Sequence, residues 1–233
     1  MRSSPSTAQQ SESAGELPEN GLATRRREQI LAAATSAFAA RGYASMDVGV
    51  LAENLGIGKG TIYRYFPKKS ELFLAAVDRG MRLMRDAVTA ASASEPDGLR
   101  RIELAVQAYL DFFDRHPEFV ELLIQERAEF RDRKRPTYFE HRDRHVQEWS
   151  SLYQNLMVQG RIRTMPVDQI TDVVSHLVYG TMFTNFFAGH TKPSREQARE
   201  ILDVVFHGIL TNGSGLENVD SKPVRGRRGK ANS

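Results

Sequence analysis

Between residues 59 and 69 the chain gathers side chains suited to polyanions: Lys59, Arg64, Lys68 and Lys69 are cationic, and Thr61, Tyr63 and Tyr65 carry hydroxyls. Ammonium, guanidinium and hydroxyl donors at this density match phosphate oxygens and the base edges of a major groove. The surrounding run is Leu51-Ala52-Glu53-Asn54-Leu55-Gly56-Ile57-Gly58-Lys59-Gly60-Thr61-Ile62-Tyr63. It has a small Ala52 where two helices must cross closely, Gly56 for a tight turn, and Ile57 and Ile62 to fill the space between them. That is helix-turn-helix spacing. The second helix presents Lys59, Thr61, Tyr63, Arg64 and Tyr65 at its N-terminal half and outer face, while Phe66 falls on the Ile62 side and reads as core. For Tyr63 and Tyr65 a plain core position is the competing reading.

Other constellations are weaker. Gly56 to Thr61 has the look of a phosphate loop but lacks its spacing and its Gly-Lys-Ser/Thr ending, and a helix precedes it. His141-Arg142-Asp143 echoes a kinase catalytic loop, yet Glu148 stands where Asn is required and no Gly-rich loop exists. His141 and His145 are four apart on a helix, but Arg142 lies between them, so a solvated charged face explains them better than a metal. His176, on an apolar helix, reads as a core histidine. The chain has no Cys, which excludes disulfides, thiol nucleophiles and Cys-ligated metal. No catalytic site, metal site or cofactor is expected.

The elements that must position these residues are helical. Ile30, Leu31, Ala34 and Phe38 recur on one face of a first helix that should follow Thr24 as cap and stop at Gly42. Short helices are expected from about Asp47 to Leu55 and from Gly58 or Lys59 to Phe66, and a longer one from near Ser70 to before Glu95-Pro96. Further stripes run from Leu99 to Phe113, through Phe119 to Leu123, and through Phe139, Val146, Trp149, Tyr153, Leu156 and Met157. Pro166 opens a very apolar helix through Phe187, and Ser194 with Gln197 reads as a capping box before a last helix to about Asn212. The sum is an all-α fold of about nine helices with no strand. Residues 1–22 and 213–233 read as disordered tails, 23–70 as a head and 71–212 as a body.

The net charge of +3 hides a division: residues 25–69 carry eight bases against three acids, 70–221 a net −5, and 222–233 five bases and no acid. A basic head and tail on an acidic body suggest that one end meets a polyanion. The N-terminal stretch lacks the apolar core of a secretory signal, and no apolar run reaches the ~20 residues of a membrane span, so a cytoplasmic protein without membrane contact is expected.

Arg27 to Val77 resembles the DNA-binding domain of the tetracycline-repressor-like (TetR) family. The resemblance is carried by Ile30-Leu31-Ala32-Ala33-Ala34, Phe38, Gly42-Tyr43, Leu51-Ala52, Leu55-Gly56-Ile57, Lys59-Gly60-Thr61-Ile62-Tyr63-Arg64-Tyr65-Phe66, Lys69 and Leu72-Phe73. It implies that Thr61 and Tyr63 contact DNA, that Arg64 and Tyr65 reach bases, that the backbone at Lys59 and Gly60 nears the groove, and that Lys69 grips a phosphate. Lys68 belongs to the same basic cluster. The family usually has Thr entering the first helix of the motif, whereas Met46 precedes Asp47 here, leaving Ser45 as the cap or phosphate contact. The resemblance further implies a homodimer through the last two long helices, a palindromic operator in double-stranded DNA, and repression relieved by a small-molecule effector. Candidate lining residues for that effector are Phe112, Phe113, Trp149, Tyr153, Phe183 and Phe187, each of which also reads as ordinary core, and no buried charge points to an acidic or basic effector. An all-α enzyme or adaptor that retains a helix-turn-helix is the alternative.

Overall fold

A computed structural model of the chain describes residues 19–189 and 192–208. Residues 1–18 of the expected N-terminal tail, all of the expected C-terminal tail, and 209–212 of the expected last helix lie outside the described residues, whereas 19–22 of that first tail are the start of α1. Nine helices and no strand are found among those described: α1 (Glu19–Ser45), α2 (Val48–Asn54), α3 (Lys59–Tyr65), α4 (Lys69–Ser92), α5 (Gly98–Arg115), α6 (Pro117–Glu129), α7 (Thr137–Val158), α8 (Val167–Ala188) and α9 (Ser194–His207). The fold is all-α.

The helix ends follow local chemistry. Gly42 breaks α1 with φ 78° and ψ 159°, a region that only Gly enters freely. At its other end α1 begins at Glu19, ahead of the expected cap Thr24, because Leu22, Ala23 and Arg25 to Glu28 all favour helix. His116-Pro117 separates α5 from α6, with Pro117 at the first turn of α6, where its missing N–H costs nothing. The expected capping box at α9 does not form. Pro193 is the cap residue, Ser194 Oγ donates to Asp114 at 3.1 Å, and Gln197 pairs with Asn185 at 2.9 and 3.1 Å, tying α9 to α5 and α8 instead. Within the described residues α9 ends at His207, and Gly208 leaves the helix with φ 72°.

One apolar core runs through the whole molecule. In the head Ile30, Leu31, Ala34 and Phe38 of α1 meet Leu51, Ala52, Ile62 and Phe66, all buried. Phe38, Tyr43, Phe73 and Phe130 then form an aromatic cluster, with centroids 5.0 to 5.4 Å apart for Phe38–Phe73, Tyr43–Phe73, Tyr43–Phe130 and Phe73–Phe130, that joins α1 to α4 and α6. Gly80 lies where α4 and α6 approach: a Cβ there would meet Phe119 Cε1 and Cγ at 2.7 Å. α4 is thus packed against α1 of the head and against α5, α6 and α7 of the body.

The buried stripe of α7 departs from expectation in its first half. Thr137, Tyr138 and His141 are buried there, while Phe139 and Val146 are half-buried. A second surprise is Glu126 on α6, which is 2% exposed. Its carboxylate accepts from Thr137 Oγ1 at 2.7 Å and Thr137 N at 3.0 Å, and pairs with Arg133 at 3.1 Å. A buried charge survives when paired and hydrogen-bonded, and here it fastens the start of α7 to α6.

Candidate nucleic-acid interface and ligand cavity

α2 and α3 are set by a compact turn. Ile57 N donates to Ala52 O at 3.0 Å and Gly56 N to Glu53 O at 3.0 Å, with Gly56 at φ 63°. This six-to-one and glycine pairing is the Schellman arrangement, which satisfies the last carbonyls of α2 and aims the chain at α3. Thr61 N then donates to Gly58 O at 2.8 Å as α3 begins. Ile62 is fully buried and anchors α3, so the opposite side faces outward.

That outer side holds Lys59, Gly60, Tyr63, Arg64 and Lys68, all exposed, with Thr61, Tyr65 and Lys69 half-buried. Lys59 Nζ lies 6.0 Å from the Tyr63 ring centroid and the Arg64 guanidinium 5.6 Å from that of Tyr65. These cation–π contacts hold the basic groups beside the hydroxyls without consuming their donors. Tyr65 also packs on the core, in line with the core reading of its ring. Lys69 is more committed than its sequence context suggests: Nζ donates to Ala44 O at 3.0 Å and sits 5.0 Å from the Tyr43 ring. It fastens the end of α1 to the start of α4.

Ser45 is exposed at the end of α1, but Asp47, not Ser45, caps α2, through its carboxylate and Gly49 N. The Gly49 and Val50 amides, and then Lys59 and Lys69, hold the Asp47 carboxyl below its ordinary range. Met46 is buried and offers no polar atom to a phosphate. Arg27 covers the Phe66 ring at 5.2 Å, while Arg25 and Arg26 are exposed.

A second feature lies in the body. A cavity of about 170 Å³ opens between α4, α5, α7 and α8. Its apolar wall includes Met81, Met84, Val106, Trp149, Val174 and Val178. Of the residues expected to line such a space, Trp149 and Tyr153 do. Phe112 and Phe113 are core residues further along the same side of α5, packed on His116, Phe119 and Tyr109, and Phe183 and Phe187 stack on the far half of α8, with Phe187 70% exposed.

The polar wall was not anticipated. Tyr109 and Tyr138 hydroxyls share a hydrogen bond of 2.9 Å, and burial pushes the Tyr138 hydroxyl up to about 12 and that of Tyr109 well above its ordinary range. Arg85, His141, Arg142 and His145 also line it, with Thr171 and Ser175 of α8. Burial, and then Arg85 and His141, lower the pKa of His145. His141 is 5% exposed, which corrects its assignment to a solvated face. Its Nε2 meets Asp78 Oδ1 at 2.7 Å, and its Nδ1 is buried with no partner. From Asp78 a ladder of charges runs to the head: Asp78 to Arg82 at 3.1 Å, Arg82 to Glu28 at 3.7 Å, and Arg79 to Glu28 at 2.9 Å. The expectation that no buried charge points to an effector passed over His141, which is buried against the Asp78 carboxylate.

The only sequence signal for this wall is the spacing 138, 141, 145, 149 on α7, which marks one helical face. A search for apolar periodicity passes over it because two of the four residues are His. His176, expected in the core, is exposed on α8.

Residues 30–76 match the family described as bacterial regulatory proteins, tetR family. The chain is 31% identical over 100 residues to the HTH-type transcriptional activator FasR of Mycolicibacterium smegmatis, an overlap of 43% of this chain and 46% of that protein. The match thus spans about half the length of that relative. The transcriptional regulator FadR from Bacillus subtilis, solved in complex with stearoyl-CoA, has a similar fold, with TM-score 0.67, 15% identity, and coverage of 78% of this chain and 99% of that one. So has a transcriptional regulator from Saccharomonospora viridis in complex with choline, with TM-score 0.64, 23% identity and coverage of 78% and 96%. Among the described residues no helix is long and apolar enough to cross a membrane.

Proposed function

We propose that this chain, whose residues 30–76 match the tetR family of bacterial regulatory proteins, is a dimeric, ligand-responsive transcriptional repressor. The observation that supports this most is the outer side of α3, where Lys59, Gly60, Tyr63 and Arg64 stand exposed on a helix anchored by Ile62. A helix so mounted enters a major groove with cations at the phosphates and polar tips at the bases. We assign Thr61, Tyr63, Arg64 and Tyr65 to the groove, and the Lys59 and Lys68 side chains to phosphate. Lys69 acts through the position of α4, whose first N–H groups favour an anion. Ser45 is close enough in sequence to serve as a further backbone contact.

A single seven-residue reading helix offers few base contacts, so the operator is a palindrome bound by two heads. The dimer surface is the outer side of α8 and α9, where Val173, Leu177 and Val204 are 45, 41 and 52% exposed. Val173 and Leu177 are four apart and share one face, which a second copy would cover. Residues 23–70 then form the head and 71–212 the body, with α4 common to both.

The body cavity is the effector site. Two proteins of this fold were solved with stearoyl-CoA and with choline, ligands of opposite charge, so the lining rather than the fold selects the effector. An effector acts by preferring one head spacing over the other, and the ladder from His141 to Glu28 is the route we assign to that preference. Repression needs only occupancy of a promoter. FasR is an activator, so the sign must be read from a reporter fused to the bound promoter. Selection of genomic fragments by the purified protein, followed by anisotropy titration at several salt concentrations, tests the whole reading. Unchanged affinity and unchanged sequence preference in Tyr63→Ala, Arg64→Ala would refute the assignment of α3, and a monomer in light scattering at micromolar concentration would refute the dimer.

A further inference from the structure

We propose that the body cavity takes a small apolar carboxylic acid, whose acid group is held by Arg85, Arg142 and His141. The proposal rests on the reading of this cavity as the effector site and gives that effector a chemical class.

The lining contains two guanidinium groups and no Asp or Glu. The carboxylates that reach those guanidiniums stand outside it: Asp86 against Arg85 at 2.9 Å, and Asp143 and Asp172 against Arg142 at 3.3 and 3.8 Å. The Asp86 and Asp172 side chains are 62 and 55% exposed, so solvent screens much of their field. Asp78 adds a further carboxylate behind His141, so what favours an anion is the placing of the guanidiniums in the lining and of the carboxylates outside it. A cationic ligand is disfavoured there and an anion is drawn in.

His141 supplies the second, independent observation. It is 5% exposed, Asp78 occupies its Nε2, and its Nδ1 has no hydrogen-bond partner. Buried polar atoms in folded proteins are almost always satisfied, and His141 lines the cavity, so a ligand acid group that reaches this nitrogen would supply its missing partner. A carboxyl group satisfies it in either form, with one proton lying between the ring nitrogen and the ligand oxygen. The guanidiniums then favour the arrangement in which the oxygens carry the negative charge.

The remaining walls set the body of the ligand. Met81, Val106, Trp149 and Val174 are apolar, and the Tyr109 and Tyr138 hydroxyls already satisfy each other. The volume is about 170 Å³, and a cavity of roughly 150 Å³ holds benzene. One aromatic ring or a short hydrocarbon chain therefore fits the space as it stands.

The protein carries its own reporter, since Trp149 is the single tryptophan and lines the cavity. Phenylacetate and hexanoate should change its fluorescence saturably in the full-length protein. Phenylacetamide and hexanamide, which keep the shape and lose the charge, should bind about tenfold or more weakly, as loss of a charge-assisted contact implies. Phenethylamine should not bind. Arg85→Gln and Arg142→Gln should each shrink the preference for acid over amide, with thermal unfolding as the check on folding, and Arg142→Lys should retain most of it. Equal binding of acids and amides, tighter binding of the amine, an undiminished acid preference in the Arg85→Gln, Arg142→Gln double variant, or no response to any of these probes would overturn the proposal. Acids that bind without releasing DNA would leave the ligand class standing and sink the effector reading. Release of DNA by the amide or amine alone would do the reverse.

Discussion

Gly80→Ala sets two opposing effects against each other at the junction of α4 and α6. In a free helix the change is favourable by about 1 kcal/mol, because Ala loses less backbone entropy on folding. Here the new Cβ would lie 2.7 Å from Phe119 Cε1 and Cγ and closer still to Cδ1, well inside van der Waals contact. The ring cannot easily yield. Phe119 is 2% exposed, stands in the first turn of α6, and is stacked on Phe112 at 5.8 Å with His116 at 6.0 Å on another side. Forcing an extra carbon into such a core costs about 1–3 kcal/mol. The net expectation is a loss of roughly 0–2 kcal/mol, measured as a lower urea midpoint at constant m. Phe119→Leu alone should also destabilise, by leaving a void. Combined with Gly80→Ala it should cost less than the sum, with a coupling of about 0.5–3 kcal/mol of rescuing sign. A Gly80→Ala protein more stable by the full propensity gain, with no coupling to Phe119→Leu, would refute the close approach of the two helices.

Lys59→Gln should weaken DNA binding at every sequence alike and reduce the salt slope by about 0.9 per head, read by anisotropy across a salt series. Gly56→Ala meets no atom within 4 Å but must hold φ 63°, so it should cost about 1–2 kcal/mol in thermal or urea unfolding. Asp78→Asn removes the carboxylate that joins His141 to Arg82. It should leave ligand-induced Trp149 quenching in place while reducing ligand-induced DNA release, measured on the same sample. His145 has its pKa lowered by burial, Arg85 and His141, so the unfolded chain takes up its proton first. Its contribution to stability is present above the ordinary value of 6.5 and is lost as pH falls through the lower folded value; His145→Gln should flatten the acid limb of an unfolding-midpoint profile in that window.

The all-α fold and the breaks at Gly42, Gly56 and His116-Pro117 were legible because they rest on local chemistry. Gly42, Gly56, Pro117 and the apolar periods of α1, α4 and α5 act within a few residues of where they sit. The outer side of α3 was legible for the same reason, since Ile62 and Phe66 define its inner side. What escaped depends on partners far along the chain. Asp78 lies 63 residues from His141, and Gln125 donates to Phe38 O across 87 residues at 3.0 Å. Burial of His141 and Glu126 could not be read from types that are usually exposed, because only the folded chain brings their partners to them. Of the expected aromatics Trp149 and Tyr153 line the cavity, whereas Phe112 and Phe113 look like pocket residues by type but pack against His116, Phe119 and Tyr109, partners that only the folded chain brings to them.

The continuity of α4 has a mechanical consequence. At 1.5 Å per residue its 24 residues form a rod of about 36 Å. Its C-terminal half, from Met81 to Val88, walls the cavity, while its first turn supports the head through Lys69 and Phe73. With no loop between those two ends to absorb motion, a tilt is amplified along the rod. From the middle of that wall to the first turn is about 14 residues, or about 21 Å, so a pivot of about 5° at the cavity moves the head end by about 2 Å. In the proposed dimer, two such rods tilting symmetrically would alter the separation of the heads by up to about 4 Å, set against half-sites ~34 Å apart. A displacement of that size exceeds the reach of a hydrogen bond, so a ligand can shift this rod by far less than its own diameter and still cost both heads their register.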